Sequence, residues 1–410
     1  LKVGYLIPEF PGQTHIFFWR EMEALRALGV EIETISTRRP APGVVCHDWS
    51  QAAIESTHYL FPPRPGRLAR SAASILGGGP ATWSRCLAAF GSIDDASAGM
   101  RARMAALAVM GRQLADVASE RGWDHVHVHS CGDSALIATF ANVLADVPYS
   151  LTLHGPVQHY GPGQALKWTR AKFGVTVTNR LRNELLATVE GIEEDRVIVA
   201  SMGVDTELFR RSDAYRGPEA GRRTMVVTCG RLHEHKGHQD LVAAVDLLVR
   251  HGVDVGLKVL GEGPARPILE AEIGRRGLEG RVELLGAVAE QVVREELEHA
   301  DLFALASHDE AIGVATMEAM AMGLPVIVTD VGGVDELVSH EENGLLVPAH
   351  KPQEMSDAIR RLIEDAELCA SISTRGRETV AARFDCRLSA ALLRARMMDS
   401  GRAGEMSRAA

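Results

Sequence analysis

The sequence predicts an α/β protein made of two Rossmann-like parallel-sheet domains that face each other across a cleft. Three observations carry this. Short β-branched runs alternate with longer helical patterns along nearly the whole chain. The rhythm breaks once, over residues 205–223, which are rich in charge, Gly and Pro and have no hydrophobic period, and then restarts. The 410 residues, 46% of them hydrophobic, suffice for two domains of ordinary size.

Residues 3–7 are the first strand. A helix over about 15–28 follows, with Phe18, Met22, Leu25 and Leu28 on one face and Gly29 as its stop. Strands are expected next at 30–36, 125–129, 149–153, 175–178 and 197–200. After the break they return at 225–228, 255–260, 282–284, 302–306, 325–328 and 345–347. Residues 385–398 read as a helix with Leu388, Leu392 and Leu393 apolar, and 401–410 as a frayed tail.

Composition bounds the function. A formal net charge of −10 disfavours a nucleic-acid binder that works by neutralising phosphates. The charge is uneven: residues 1–210 hold 20 Lys+Arg against 21 Asp+Glu, and residues 211–410 hold 24 against 33. The cysteines Cys46, Cys86, Cys131, Cys229, Cys369 and Cys386 form no C-x-x-C pair and read as buried apolar residues of a reduced cytosolic protein. Residues 3–7 are far shorter than a signal-peptide core, and no run reaches about 18 apolar residues, so neither a leader nor a membrane span is expected.

The second half opens on a strand running into Gly230-Arg231-Leu232, with Lys236-Gly237 before a helix. Gly230 lets a ligand approach the backbone, Arg231 offers phosphate a planar fork, and Lys236 offers a point charge. The set suits a diphosphate without a metal; it also suits two cations of a surface loop. Residues 307–321 run from a strand into a helix. Glu310 on the loop can reach a sugar. Amides of Gly313, Val314 and Ala315 can form an anion site at the helix start, and Glu318, expected in the first turn, can bond a ribose diol. The plainer readings are a solvated loop acid and a dipole-favoured first-turn acid. Gly261 to Pro264, and Gly332-Gly333 with Glu336, are further glycine-bearing loops at carboxyl ends of strands, where such sheets bind ligands.

Taken in order, Gly230-Arg231-Leu232 to Lys236-Gly237, Gly261 to Pro264, Glu310 to Glu318, Gly323-Leu324-Pro325-Val326-Ile327, and Gly332-Gly333 to Glu336 make this half resemble the donor-nucleotide domain of family 4 retaining glycosyltransferases, which have the GT-B fold. The likeness spans residues 225–348. It implies that Arg231 and Lys236 hold the donor diphosphate, Glu318 binds ribose, Glu310 contacts the transferred sugar, and amides around Gly313 and Val314 help hold sugar and phosphate. It also implies a division into an acceptor-side domain 1–205, a linker 206–223, a donor domain 224–384 and a crossover helix 385–400 that returns to the first domain.

The first half resembles the family more loosely. Residues 8–15 join the first strand to the first helix, with Thr14 as the expected N-cap. Gly12 either lets backbone approach the donor phosphate or makes a tight turn. A single glycine here resembles the subgroup that builds exopolysaccharides such as colanic acid. His125, His127 and His129 share one face of a strand, but residues two apart lie roughly 6–7 Å from each other, so no zinc site is expected. His154 ends a later strand and matches the family's T-x-H position beside the donor sugar; its plainer reading is a hydrogen-bonded core histidine. Met202-Gly203-Val204-Asp205 with Phe209 resembles N-G-V-D-x-x-x-F and reads as structural. Arg64, Arg67 and Arg70, near Leu68, Ile75, Leu76 and Trp83, suit either a solvated face or a peripheral helix meeting anionic lipid.

The expectation is a retaining, metal-independent hexosyltransferase. It moves a sugar from a nucleotide-diphosphate sugar, UDP favoured on family frequency, to a hydroxyl of a saccharide or lipid-linked acceptor in polysaccharide or glycoconjugate biosynthesis. Glu310 and His154 orient the sugar, and Arg231, Lys236 and helix-end amides take up the charge left on the diphosphate. No cofactor beyond the co-substrate and no nucleic-acid partner is expected. The location is cytoplasmic, with a peripheral contact at the inner face of the plasma membrane through residues 64–104 left open. Two rivals stand: a nucleotide-sugar epimerase of the same architecture, with Asp133 as its candidate first-half carboxylate, and a non-catalytic nucleotide-sugar-binding subunit.

Overall fold

A computed structural model describes residues 1–40, 47–63, 65–93 and 97–408, with residues 400–408 described by backbone alone. Arg64 and Cys46 lie outside the described residues. The first sheet contains β1 (Lys2–Glu9), β2 (Glu31–Arg38), β3 (His58–Tyr59), β4 (His125–Val128), β5 (Tyr149–Leu153), β6 (Gly174–Thr176) and β7 (Val197–Val199), in the order 3-2-1-4-5-6-7. The second contains β8 (Thr224–Cys229), β9 (Val255–Leu260), β10 (Val282–Gly286), β11 (Leu302–Leu305), β12 (Val326–Thr329) and β13 (Leu345–Val347), in the order 10-9-8-11-12-13.

Both sheets are parallel and both reverse their winding once, between β1 and β4 and between β8 and β11. A crevice opens at the carboxyl ends of strands at such a point, and these two crevices face each other. Strands β4, β5, β11 and β12 are buried along their whole length; β11 and β12 are the apolar runs of a covered parallel sheet, while β4 and β5 carry buried His, Ser and Thr at alternate places. In the second domain Val226 and Val227 belong to separate clusters on opposite faces, following the period of two.

The last helix, Cys386–Arg408, is integral to the first domain. Its Cys386, Ala390, Leu393 and Met397 belong to that domain's core, and it packs on the helix Ile16–Ala27. It runs to Arg408, past the point at which a frayed tail is expected, while Leu388 and Leu392 are exposed. The linker is irregular but anchored: the Tyr215 hydroxyl donates to the Asp301 carbonyl at 2.6 Å, and Val204 bridges to Asp385. Among the described residues no helix is long and apolar enough to cross a membrane. Helices Pro65–Leu76, Gly79–Gly91 and Ala98–Arg121 fill the stretch between β3 and β4. Arg67 on the first of them sits 3.4 Å from Glu120.

The domains meet through specific contacts as well as through the crossover. Glu336 accepts from the backbone N–H groups of Asn179 and Arg180, both at 2.8 Å, at the start of the helix Asn179–Thr188 of the opposite domain. The last residue of the G-G-x-x-E motif thus caps a helix across the interface.

Candidate active site

The facing strand ends enclose a cavity of about 380 Å³. From the second domain come Gly230, Arg231, Lys236, Glu310, Gly313, Val314, Ala315 and Glu318; Gln13, Thr14, Phe17, Arg20 and His47 face them from the first. The second-domain residues expected to meet diphosphate, sugar and ribose are therefore brought together, while Gly332, Gly333 and Glu336 lie outside the cavity lining.

Local backbone chemistry sets each of them. Strand β8 ends at Cys229, and a short 3-10 turn Glu234–Lys236 brings Lys236 back over the cavity, where it pairs with the Glu310 carboxylate. The Ser307 hydroxyl donates to the same Glu310 oxygen at 3.1 Å. Gly313 has φ of 92° and stands at the N-cap of the helix Val314–Ala321, whose first amides open toward the cavity wall. Gly332 has φ of 59°, and a Cβ there would lie 1.7 Å from the Glu310 carbonyl oxygen. The glycine pair is thus the floor that the Glu310 loop rests on.

Glu318 is the fifth residue of its helix, in the second turn and not the first, so the dipole argument does not apply to it. It is 5% exposed. Burial pushes its carboxyl up from the ordinary range, and Arg20 beside it offsets part of that rise. Arg20 projects from the helix Ile16–Ala27 and reaches Glu318 at 2.7 Å and Glu290 at 2.6 Å. The Gln13 amide, oriented by its neighbours, donates to the Glu262 carbonyl at 3.2 Å and accepts from its N–H at 2.9 Å. Leu260, Val288, Val293 and Leu305 give the cavity an apolar wall near Glu290, of the kind that suits a flat base.

Sequence reasoning missed Arg20, Glu290, Gln13 and His47. The signal available for Arg20 is its place on the buried stripe of an otherwise amphipathic helix, next to Glu21. Such a charge is retained in a core only when it is paired.

Four first-half candidates stand elsewhere than expected. Gly12 does not line the cavity: its Cα is covered by the His15 ring, which a Cβ would meet at 2.8 Å. Thr14 is not the N-cap, a place taken by His15 without a side-chain bond. His154 also stands back from the cavity wall. Phe17, which does line it, lies 5.7 Å from the His154 ring, and Phe18 packs edge-on against the same ring. Asp133 is likewise away from the cavity and is bonded to Arg103 at 2.7 Å.

His154 is the outer end of a buried polar chain. Its Nε2 lies 3.0 Å from His129 Nδ1, and His129 Nε2 lies 3.1 Å from a Glu21 oxygen that also accepts from Tyr5 at 2.6 Å. His127 meets Ser150 at 2.7 Å and Thr152 at 3.0 Å, and His125 meets Ser150 at 2.7 Å. Burial pulls His125, His129 and His154 down to about 3, so all are neutral. His15, on the cavity's first-domain side, falls to about 4 through burial, then His47 and Arg231.

Among the described residues two groups bring three candidate metal-ligating atoms within 4.8 Å of one another. In Glu21–His127–His129 both His127 nitrogens already meet hydroxyls, as a satisfied hydrogen-bonded core does. Asp240–His308–His350 sits outside the cavity, with His308 Nε2 2.8 Å from Asp240, and has the donor types of a transition-metal site.

Comparison with known proteins agrees with this geometry. Residues 211–379 match the model of the family described as glycosyl transferases group 1. The chain is 28% identical over 291 residues to alpha-D-kanosaminyltransferase of Streptomyces kanamyceticus, covering 65% of this chain and 74% of that one. It is 26% identical over 405 residues to the putative colanic acid biosynthesis glycosyltransferase WcaL of Salmonella typhimurium, covering 94% and 96%. Among solved structures, Anabaena HepE in complex with UDP and glucose superposes with a TM-score of 0.74 at 18% identity, over 97% of this chain and 100% of that one. Sucrose-phosphate synthase from Thermosynechococcus elongatus gives 0.71 at 19% identity, over 96% and 97%. The fold is thus the GT-B arrangement of two facing parallel-sheet domains, and the match to glycosyl transferases group 1 covers residues 211–379 of it.

Proposed function

We propose that the protein is a retaining, metal-independent glycosyltransferase that moves a hexose from a UDP-sugar to a hydroxyl of a saccharide or lipid-linked acceptor in polysaccharide biosynthesis. One observation carries the reading: a single interdomain cavity gathers Arg231, Lys236, the Gly313–Ala315 helix start, Glu310 and Glu318. In this reading Arg231, Lys236 and the helix amides hold the diphosphate and stabilise the charge it gains as the sugar departs. Glu318 bonds ribose, and Glu310 bonds the sugar.

Metal independence is supported by the pairing of the cavity's carboxylates. Glu290 and Glu318 are held by Arg20, so a protein cation already occupies the place a hard metal ion would take beside them. The same pairing argues against Glu290 and Glu318 as nucleophiles. It favours acceptor attack on the face the diphosphate leaves, with a phosphate oxygen taking the acceptor proton. His154 then acts behind Phe17 and reaches the sugar when that ring moves on closure. The UDP assignment is supported by the UDP complex of HepE, and the polysaccharide assignment by WcaL. The direct test is release of UDP from a UDP-sugar in the presence of EDTA and an acceptor extract.

A lipid-linked acceptor fits the exposed Leu76, Trp83 and Leu87, 71%, 48% and 68% exposed, on the helices Pro65–Leu76 and Gly79–Gly91. We assign the peripheral membrane contact to these rings and side chains more than to the arginines, since Arg67 is engaged by Glu120. Co-sedimentation with anionic vesicles should fall at least several-fold in a Trp83→Ala/Leu87→Ala protein; equal binding would remove the assignment.

A further inference from the structure

Arg20 belongs to the first domain by sequence and to the second by its bonds. Its Nε and Nη2 donate to Glu290 Oε2 at 3.0 and 2.6 Å, and Nη2 lies 2.7 Å from Glu318 Oε1. The guanidinium carbon sits 4.6 Å from the centre of the Phe209 ring, so one face is covered by the residue that closes the V-D-x-x-x-F signature. Arg20 is 6% exposed and lines the cavity. Its third nitrogen, Nη1, is buried and has no protein partner. Buried guanidinium N–H groups are costly to leave unpaired, and this one belongs to a residue of the cavity wall.

Resting on the reading that this cavity takes a nucleoside diphosphate, we infer that Arg20 is a donor-recognition residue supplied by the opposite domain. Its Nη1 donates to an oxygen of the bound nucleoside, while its other nitrogens hold Glu290 and Glu318 in place for the ribose hydroxyls. Arg20 engages Oε2 of Glu290 and Oε1 of Glu318, so the second oxygen of each carboxylate serves a hydroxyl donor. The diphosphate end, by contrast, depends on Arg231 and Lys236 of the second domain. The nucleoside end is therefore complete only when the domains are together, and the contact links nucleotide identity to closure.

Calorimetry on the full chain tests this with UDP and with inorganic pyrophosphate as probes. Arg20→Lys keeps a cation between the carboxylates but lacks Nη1. It should weaken UDP by about 10- to 100-fold, the range of a lost charge-assisted hydrogen bond, and leave pyrophosphate within about twofold. An Arg20→Gln/Glu318→Gln protein, which removes the buried cation together with the more buried of its two carboxylates, guards against misfolding and should show the same UDP-selective loss. UDP binding within twofold of wild type in both variants overturns the inference, as does an equal loss for both probes. If wild type binds none of UDP, GDP or ADP, the reading of the cavity itself fails and the inference with it. If wild type binds and the Arg20 variants match it, the inference alone fails.

Discussion

Lys236 and Glu310 hold each other in the cleft, and in the proposed reading a donor parts them. The incoming diphosphate offers Lys236 more negative charge than one carboxylate does, and Glu310 keeps its bond from Ser307 and turns to the sugar hydroxyls. Lys236→Ala should therefore fold normally, because Glu310 remains bonded, yet bind UDP about 10- to 100-fold more weakly. Calorimetry at one salt concentration measures this; affinity equal to wild type would show that Lys236 is a loop cation only. At this scale the sequence is informative where a residue's role depends on nearby backbone. Gly313 and Gly332 mark the loops that carry Glu310 and the helix amides, so the donor-side residues are readable as motifs. Arg20 and Glu290 are not, because their bond joins positions 270 residues apart and leaves no local pattern. Gly12 and His154 could be placed at strand ends but not relative to the His15 ring that covers Gly12 or the Phe17 ring that lies between His154 and the cavity.

Strand β4 shows what an element adds. The alternation of its histidines predicts one shared face, and the neighbouring strand decides what that face does. Ser150 and Thr152 on β5 supply hydroxyls to His125 and His127, turning a tempting metal pattern into a neutral hydrogen-bonded core. Sequence alone does not provide that pairing, since register between strands is a tertiary property. The histidines also make stability depend on pH. His125 and His129 are fully buried and titrate at about 3 in the fold, against about 6.5 in an unfolded chain. Below pH 6.5 the unfolded chain takes up protons that the fold refuses. Stability is therefore full above pH 6.5 and falls as the pH drops toward 3, by up to about 1.4 kcal/mol per pH unit for each such histidine. The melting temperature at pH 5 should lie about 5 °C or more below that at pH 7. A flat profile would mean that these histidines are charged or solvated.

The whole molecule is two domains clamped around one cavity by contacts that the chain makes far apart: the Cys386–Arg408 helix in the first domain's core, Glu336 on the Asn179–Thr188 helix, Gln13 on Glu262, and Arg20 on Glu290 and Glu318. The two-sheet architecture is legible in the sequence because covered parallel strands need continuous apolar runs, and those runs are countable. The clamp is not, since each of its contacts joins opposite domains. The −10 net charge gains meaning here. The second half is acidic, so in the proposed reading an anionic nucleotide is held there locally, by Arg231, Lys236 and oriented amides, with Arg20 offsetting the charge of Glu290 and Glu318. The measurement that tests this account most directly is UDP release from a UDP-sugar by the purified protein, in EDTA, with an acceptor extract. The account predicts release well above the acceptor-free background by wild type, and a loss of about 100-fold or more in Glu310→Ala at unchanged melting temperature. No nucleotide release from any UDP-, GDP- or ADP-sugar, or full turnover by Glu310→Ala, would contradict it.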